Sequence, residues 1–226
     1  MFKKIVIVVV IIVISLDIFF LFSAYQGQKI YKSFFRISYE DVISNLNETE
    51  IKCRKISECK LKPGDILLRR YLTPQTVDFD RLFDPYFTHS AFYLGDDLIF
   101  EASGYIPNKD DQVELSTLSE SDWFNDDLHD FVIIRPKNYK DSLLEISNEL
   151  KRIANDQTYL FGPYNEKDKT VSCSDIILKL LLDKGIIDNP TPFTKIITPD
   201  YLFWSIMGDR SNFDFVGYKL SPINKE

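Results

Sequence analysis

The chain has 226 residues, 45% hydrophobic and 27% charged, which is enough for one ordinary domain plus an extension and includes no low-complexity tract. A net charge of −7 with no basic stripe excludes nucleic acid as a partner, because nothing offsets phosphate repulsion over a broad surface. The two histidines and three cysteines lack the close C-x2-C type of spacing of a four-ligand structural zinc site, and no H-E-x-x-H or EF-hand pattern is present; carboxylates leave metal catalysis open in principle, but no metal or other cofactor is expected.

Residues 5–24 read I-V-I-V-V-V-I-I-V-I-S-L-D-I-F-F-L-F-S-A and follow Lys3 and Lys4. Twenty such residues span the roughly 30 Å hydrocarbon core, which predicts one N-terminal transmembrane helix. Asp17 costs roughly 2.5–3.5 kcal/mol at mid-membrane, and the surrounding Ile, Val and Phe offset it. A cleaved signal peptide is the rival reading, but Phe22 would stand at −3, where cleavage wants a small residue. Basic residues flank the segment on both sides, with Lys29, Lys32 and Arg36 following it. The short leading tail is the easier end to leave inside, so a single-pass protein with an extracytoplasmic domain is expected.

Ser38–Asn47 reads as a short amphipathic helix with Ser38 as N-cap. In L-K-P-G-D-I-L-L-R-R, Pro63-Gly64 turns the chain into a strand, Asp65–Arg69. Residues 71–87 lack strong periodicity and read as a loop with room for a short helix. Strands Ser90–Leu94 and Leu98–Ser103 form a hairpin around Gly95-Asp96-Asp97. Val113–Leu115 and Phe131–Arg135 are further strands, the second stopped by Pro136. Leu143, Ile146, Leu150 and Ile153 give Asp141–Asn155 the period of a helix with one buried face. Ser172–Asp183 is a second helix, apolar nearly all round and therefore central. Thr198-Pro199-Asp200 opens another helix, and Phe213–Lys219 can close the sheet, which together make an α+β domain.

Cys173 stands at the start of the central helix in T-V-S-C-S-D-I-I-L, with Ser172 as N-cap and Asp175 at N3. Free N–H groups and the positive end of the dipole favour a thiolate there and could serve as an oxyanion hole. A small hydrophobe in the core is the alternative. His89, in F-T-H-S-A-F-Y-L-G, is the natural base for such a thiol, against the alternative of a polar turn residue. His129, in D-D-L-H-D, reads as a solvated loop residue. With a three-residue hairpin loop, Ala91 faces Glu101 and His89 faces Ser103, so Glu101 shares a face with His89 and could orient it. A solvent-facing Glu101 is the other reading. Cys53 and Cys59 could close a small disulfide loop if the domain is external, or stand as two free thiols.

Six stretches carry a resemblance: L-K-P-G-D-I-L-L, T-H-S-A-F-Y-L-G, L-I-F-E-A-S-G, L-F-G-P-Y-N, S-C-S-D-I-I-L and I-T-P-D-Y-L. In order and spacing they resemble the permuted papain-like amidases of the YiiX/YaeF type, relatives of the NlpC cell-wall peptidases with His before Cys. The resemblance implies a circularly permuted papain-like fold, an antiparallel sheet packed against a central helix carrying the Cys. It makes Cys173 the nucleophile, His89 the base and Glu101 the orienting residue, and it puts Tyr164 and Ser172 beside the substrate. Ser172 and Asp175 depart from the aromatic and the Glu that the family often has there.

The expected organisation is an anchor at 1–28, a linker with a short helix at 29–60 and a catalytic domain at 61–222. The expected activity is that of a membrane-anchored cysteine hydrolase, an amidase or peptidase attacking an amide carbonyl, with cell-wall peptides the natural substrates. A lipid acyl hydrolase or acyltransferase with the same Cys-His chemistry is one alternative, and a non-catalytic binding module is another. The partners expected are a peptide or acyl substrate and a membrane; the oligomeric state is not legible.

Overall fold

The computed structural model describes residues 53–71, 86–102, 113–119, 121, 123, 129–156, 158–188 and 197–219. The chain divides into two units, Met1–Asn45 and Leu46–Glu226, and every described residue lies in the second.

Short apolar runs, buried on both faces in β1 and β5, underlie most of the strands β1 (Ile66–Tyr71), β2 (His89–Gly95), β3 (Leu98–Ala102), β4 (Val113–Thr117), β5 (His129–Pro136), β6 (Leu160–Phe161), β7 (Thr170–Val171) and β8 (Phe213–Lys219). Six of them form one antiparallel sheet in the order β4-β3-β2-β1-β5-β8, while β6 and β7 make a small parallel pair. Three helices follow or interleave: α1 (Lys140–Asn155), α2 (Cys173–Asp183) and α3 (Pro199–Gly208). The bounds of β1–β5, β8, α1 and α2 agree with the sequence pattern to within two residues, while β6 and β7 are not among the strands expected from it.

The pleat sends Ile66, Leu68, Ser90, Phe92 and Phe100 to one face of the sheet. α2 packs there on β2 and β3, with α3 against it, and Ser90 and Ser174 join strand to helix through their hydroxyls at 3.0 Å. α1 packs along β3 and β4. Phe92 and Phe100 are opposite each other and fully buried; burying such a side chain is worth about 1.5–3 kcal/mol. A second buried cluster contains Leu67, Ala91, Ile99, Phe131 and Ile133, residues of the other face, together with Ile56, Cys53, Leu118 and Trp123.

The turn before β1 has a side-chain reason. Asp65 is fully buried; it accepts from the Lys62 amide at 2.8 Å and takes both arms of Arg135 at 2.6 and 2.7 Å. Gly64 has φ +99°, and a Cβ there would lie 2.7 Å from a methyl of Leu143 on α1, so only glycine fits.

One expectation is corrected. The fold is a mixed α/β one dominated by an antiparallel sheet, and no helix among the described residues is long and apolar enough to cross a membrane. The fold class with a leading transmembrane helix is therefore not supported. The longest described helix, α1, has 16 residues and a single buried face, short of the roughly 20 apolar residues a span requires. Residues 5–24 and the helix expected at Ser38–Asn47 lie outside the described residues. Residues 53–60 pack as part of the folded unit. Ile56 is 1% exposed in a short 3-10 turn, and Cys53 bridges to Gly217 of β8. Cys53 and Cys59 form a disulfide, their Cα atoms 5.1 Å apart. Gly217 lies against it; a Cβ there would collide with the Cys53 sulfur and lie 3.0 Å from that of Cys59.

Candidate active site

Cys173 is the first residue of α2, and the cap beneath it is built as the sequence suggests. Ser172 has extended backbone and its hydroxyl accepts from the Asp175 amide at 3.3 Å. The reciprocal half of the capping box is not formed. The Asp175 carboxylate instead accepts from the amides of Tyr164, at 3.0 Å, and Ile197, at 3.1 Å. The Cys173 and Ser174 N–H groups lie ahead of the first helical carbonyl available to them, at the positive end of the helix.

His89 is the first residue of β2, so its side chain stands at the end of the sheet that α2 reaches. Its Nδ1 lies 3.8 Å from the Cys173 sulfur, and its Nε2 lies 2.9 Å from Glu101 Oε2. The same Glu101 oxygen accepts from the Trp123 indole N–H at 3.0 Å. The Trp123 ring also stands 5.8 Å from the His89 ring, and the Arg69 guanidinium lies over it at 4.4 Å. The residues next to the pair are tied too, since Ser90 follows His89, Ser174 follows Cys173, and their hydroxyls meet.

The electrostatics follow from burial and facing charges. Burial pushes the Cys173 thiol up, but the facing His89 imidazolium outweighs it and brings the thiol down to about 7. Burial alone would lower His89; the Cys173 thiolate and then the Glu101 hydrogen bond raise it to about 9. Glu101 is pushed up by burial, yet hydrogen bonds from His89 and Trp123, with Arg69 nearby, hold it down at about 2. The arrangement favours a thiolate beside an imidazolium, oriented by an ionised carboxylate.

Cys173, His89 and Glu101 are thus brought together. Ser172 is next to the sulfur in sequence, but its hydroxyl is engaged in capping. Tyr164 is joined to the start of α2 through its backbone, while its ring lies 5.7 Å from the Lys179 ammonium. His129 is the first residue of β5, paired with Tyr71, not a loop residue. Sequence reasoning missed Trp123, Arg69 and Asp200. Trp123 and Arg69 carry no local signal, since their partners come from β2 and β3. Asp200 reads fully as a helix-start acid in T-P-D, yet its carboxylate accepts from the Tyr86 and Phe87 amides just before β2.

No family model matches the chain, and no curated protein does. Among solved structures the fold is similar to that of the metalloprotein YiiX from Escherichia coli O157:H7, at 16% identity and a TM-score of 0.45, over 71% of this chain and 98% of that one. At that identity and score the likeness carries nothing about chemistry.

Proposed function

We propose that the protein is a cysteine hydrolase acting on an amide or ester carbonyl, with Cys173 as nucleophile, His89 as base and acid, and Glu101 as the residue that orients His89. The observation that carries this reading is the continuous line from sulfur to imidazole to carboxylate, at 3.8 and 2.9 Å. The resemblance of the six sequence stretches to permuted papain-like amidases supports it.

In this reading the Cys173 thiolate attacks the carbonyl carbon, and the oxyanion that forms is met by the first N–H groups of α2. The His89 imidazolium gives its proton to the leaving amine or alcohol as the bond to it breaks, leaving an acyl-thioester on Cys173. Neutral His89 then takes a proton from water, the resulting hydroxide attacks the thioester, and the acid is released with the thiolate restored. Glu101 holds the ring and stabilises its charged form without itself taking the proton.

A peptide amide is the first substrate class proposed. A lipid acyl ester is a second, favoured by Leu160 and Phe161, which are 51% and 40% exposed on β6 beside the strand that leads into Cys173. The neighbour YiiX is called a metalloprotein. Among the described residues no three His, Cys, Asp or Glu side chains converge as metal ligands, and both His89 nitrogens are already engaged, so the mechanism takes no step through a metal. The Cys53–Cys59 disulfide supports an oxidising, extracytoplasmic compartment.

The test is hydrolysis of peptide amides and phospholipids side by side by wild type and Cys173→Ala. Turnover of one class that vanishes in the variant supports the reading; turnover equal in both proteins removes it.

A further inference from the structure

We propose that Asp200 is a positioning residue for His89, and that with Asp175 it braces the two ends of the Cys173–His89 pair through the first turn of α3. This rests on the hydrolase reading above. Both carboxylates are buried, at 3% and 4% exposure, and each accepts from two backbone amides. Asp175, two residues after Cys173, accepts from Ile197. Three residues further on, Asp200 accepts from Tyr86 and Phe87 at 2.8 Å each. The Phe87 amide is two residues before His89. The segment Ile197–Asp200 is itself held: Thr198 caps α3 by accepting from the Tyr201 amide at 3.2 Å, and Pro199 fixes the first helical residue.

The brace therefore runs from the helix that carries the sulfur, through Ile197–Asp200, to the chain that delivers the imidazole. Other contacts follow the same path: α3 packs on α2, and the Phe87 and Phe203 rings lie 5.4 Å apart. On the far side, the Thr88 amide donates to the Arg69 carbonyl at 2.9 Å, so the entry into β2 is held from both flanks. A carboxylate accepting two amide N–H groups fixes position and angle together, and a nucleophile–base pair loses its function on small displacements. Two pieces of the sequence pattern that the chemistry leaves unused, G-P-Y-N and I-T-P-D-Y-L, thereby acquire a role.

Asp65 supplies the control. It is also a buried carboxylate holding a backbone amide, but it sits at the opposite end of β1 from Arg69, the residue paired with His89. The experiment is the pH dependence of Cys173 alkylation by iodoacetamide in wild type, Asp200→Asn and Asp65→Asn, with circular dichroism as the check on folding. In Asp200→Asn the amide group must face a backbone N–H, so one of the two bonds is lost. The alkylation midpoint should rise by about one pH unit, a roughly tenfold lower rate at acidic pH, while Asp65→Asn lowers thermal stability and leaves the midpoint in place. An unchanged midpoint in folded Asp200→Asn, or an equal shift in Asp65→Asn, overturns the proposal. An ordinary midpoint in wild type is a different failure, that of the hydrolase reading itself. Should Asp200→Asn not fold, amide exchange in the wild type decides: the Tyr86 and Phe87 amides should be protected like those of β2, and rapid exchange there overturns the brace.

Discussion

His89 and Glu101 meet at 2.9 Å across a hairpin that closes through only two residues, Asp96 and Asp97. Both have positive φ, 50° and 65°, and Gly95 pairs with Leu98. Continued unbroken, that register would set Glu101 opposite Phe92 and turn it to the face away from His89. A bulge between Tyr93 and Gly95 takes up one residue and restores the pairs Tyr93–Ile99 and Phe92–Phe100. The carboxylate thus returns to the face of the imidazole.

Replacing Glu101 by Gln keeps a group able to hold the ring but removes the charge that stabilises the imidazolium. His89 should fall from about 9 toward its ordinary value, drawing in the alkaline limb of the pH–rate profile, and kcat should drop on the order of 10²-fold. There is a stability signature as well. Glu101 is held at about 2 in the folded chain against an ordinary value of about 4.3, so it contributes stability above pH 4.3 that is lost as pH falls toward 2. Acid unfolding of the Gln variant should lack that component; identical acid profiles would contradict the pairing.

Trp123→Phe retains most of the ring but deletes the N–H that shares the Glu101 oxygen. A hydrogen bond to a charged group is worth about 1.5–3 kcal/mol, so denaturant unfolding should show a loss of about that size. Glu101 should titrate higher in nuclear magnetic resonance, and kcat should fall more than KM rises. A stability loss with no change in the Glu101 titration would reduce Trp123 to packing alone.

Most of the elements are legible in the sequence because their signals are local. The period of Leu143, Ile146, Leu150 and Ile153, the Ser172 cap and the Pro136 stop each act within a few residues. What the sequence hides is set by tertiary contacts. The bulge at the β2–β3 turn leaves no mark in Y-L-G-D-D-L, and a two-residue or a three-residue loop fits those letters equally well. The Asp175 carboxylate sits where a capping box predicts it but turns to Tyr164 and Ile197, chosen by chain segments far along the sequence. His129 reads as a loop residue because D-D-L-H-D has no alternation, yet pairing with Tyr71 draws it into β5.

Closing the Cys53–Cys59 loop restricts the unfolded chain, and for a loop this short the gain is about 2 kcal/mol. Dithiothreitol should therefore lower the unfolding free energy of the wild type by about that amount, with a lower midpoint, and leave a Cys53→Ser/Cys59→Ser double variant unaffected. Equal midpoints of wild type with and without reductant would show that the bond does not form in solution.

Ser172→Ala removes the side-chain acceptor at the start of α2, worth about 1 kcal/mol of stability. The Cys173 thiolate lies on the same turn, so its reactivity at pH 7 should fall with the loss of helical order, measurable as a slower alkylation rate. Unchanged stability and unchanged rate would mean that the cap does not shape the site.

The most direct measurement is the pH profile of Cys173 alkylation in the wild type and in His89→Ala. With the His89 imidazolium 3.8 Å away, half of the thiol should be reactive near pH 7, and His89→Ala should return it to about 8.5 or higher. A wild-type midpoint at or above 8.5, unmoved by His89→Ala, would contradict an activated nucleophile at Cys173.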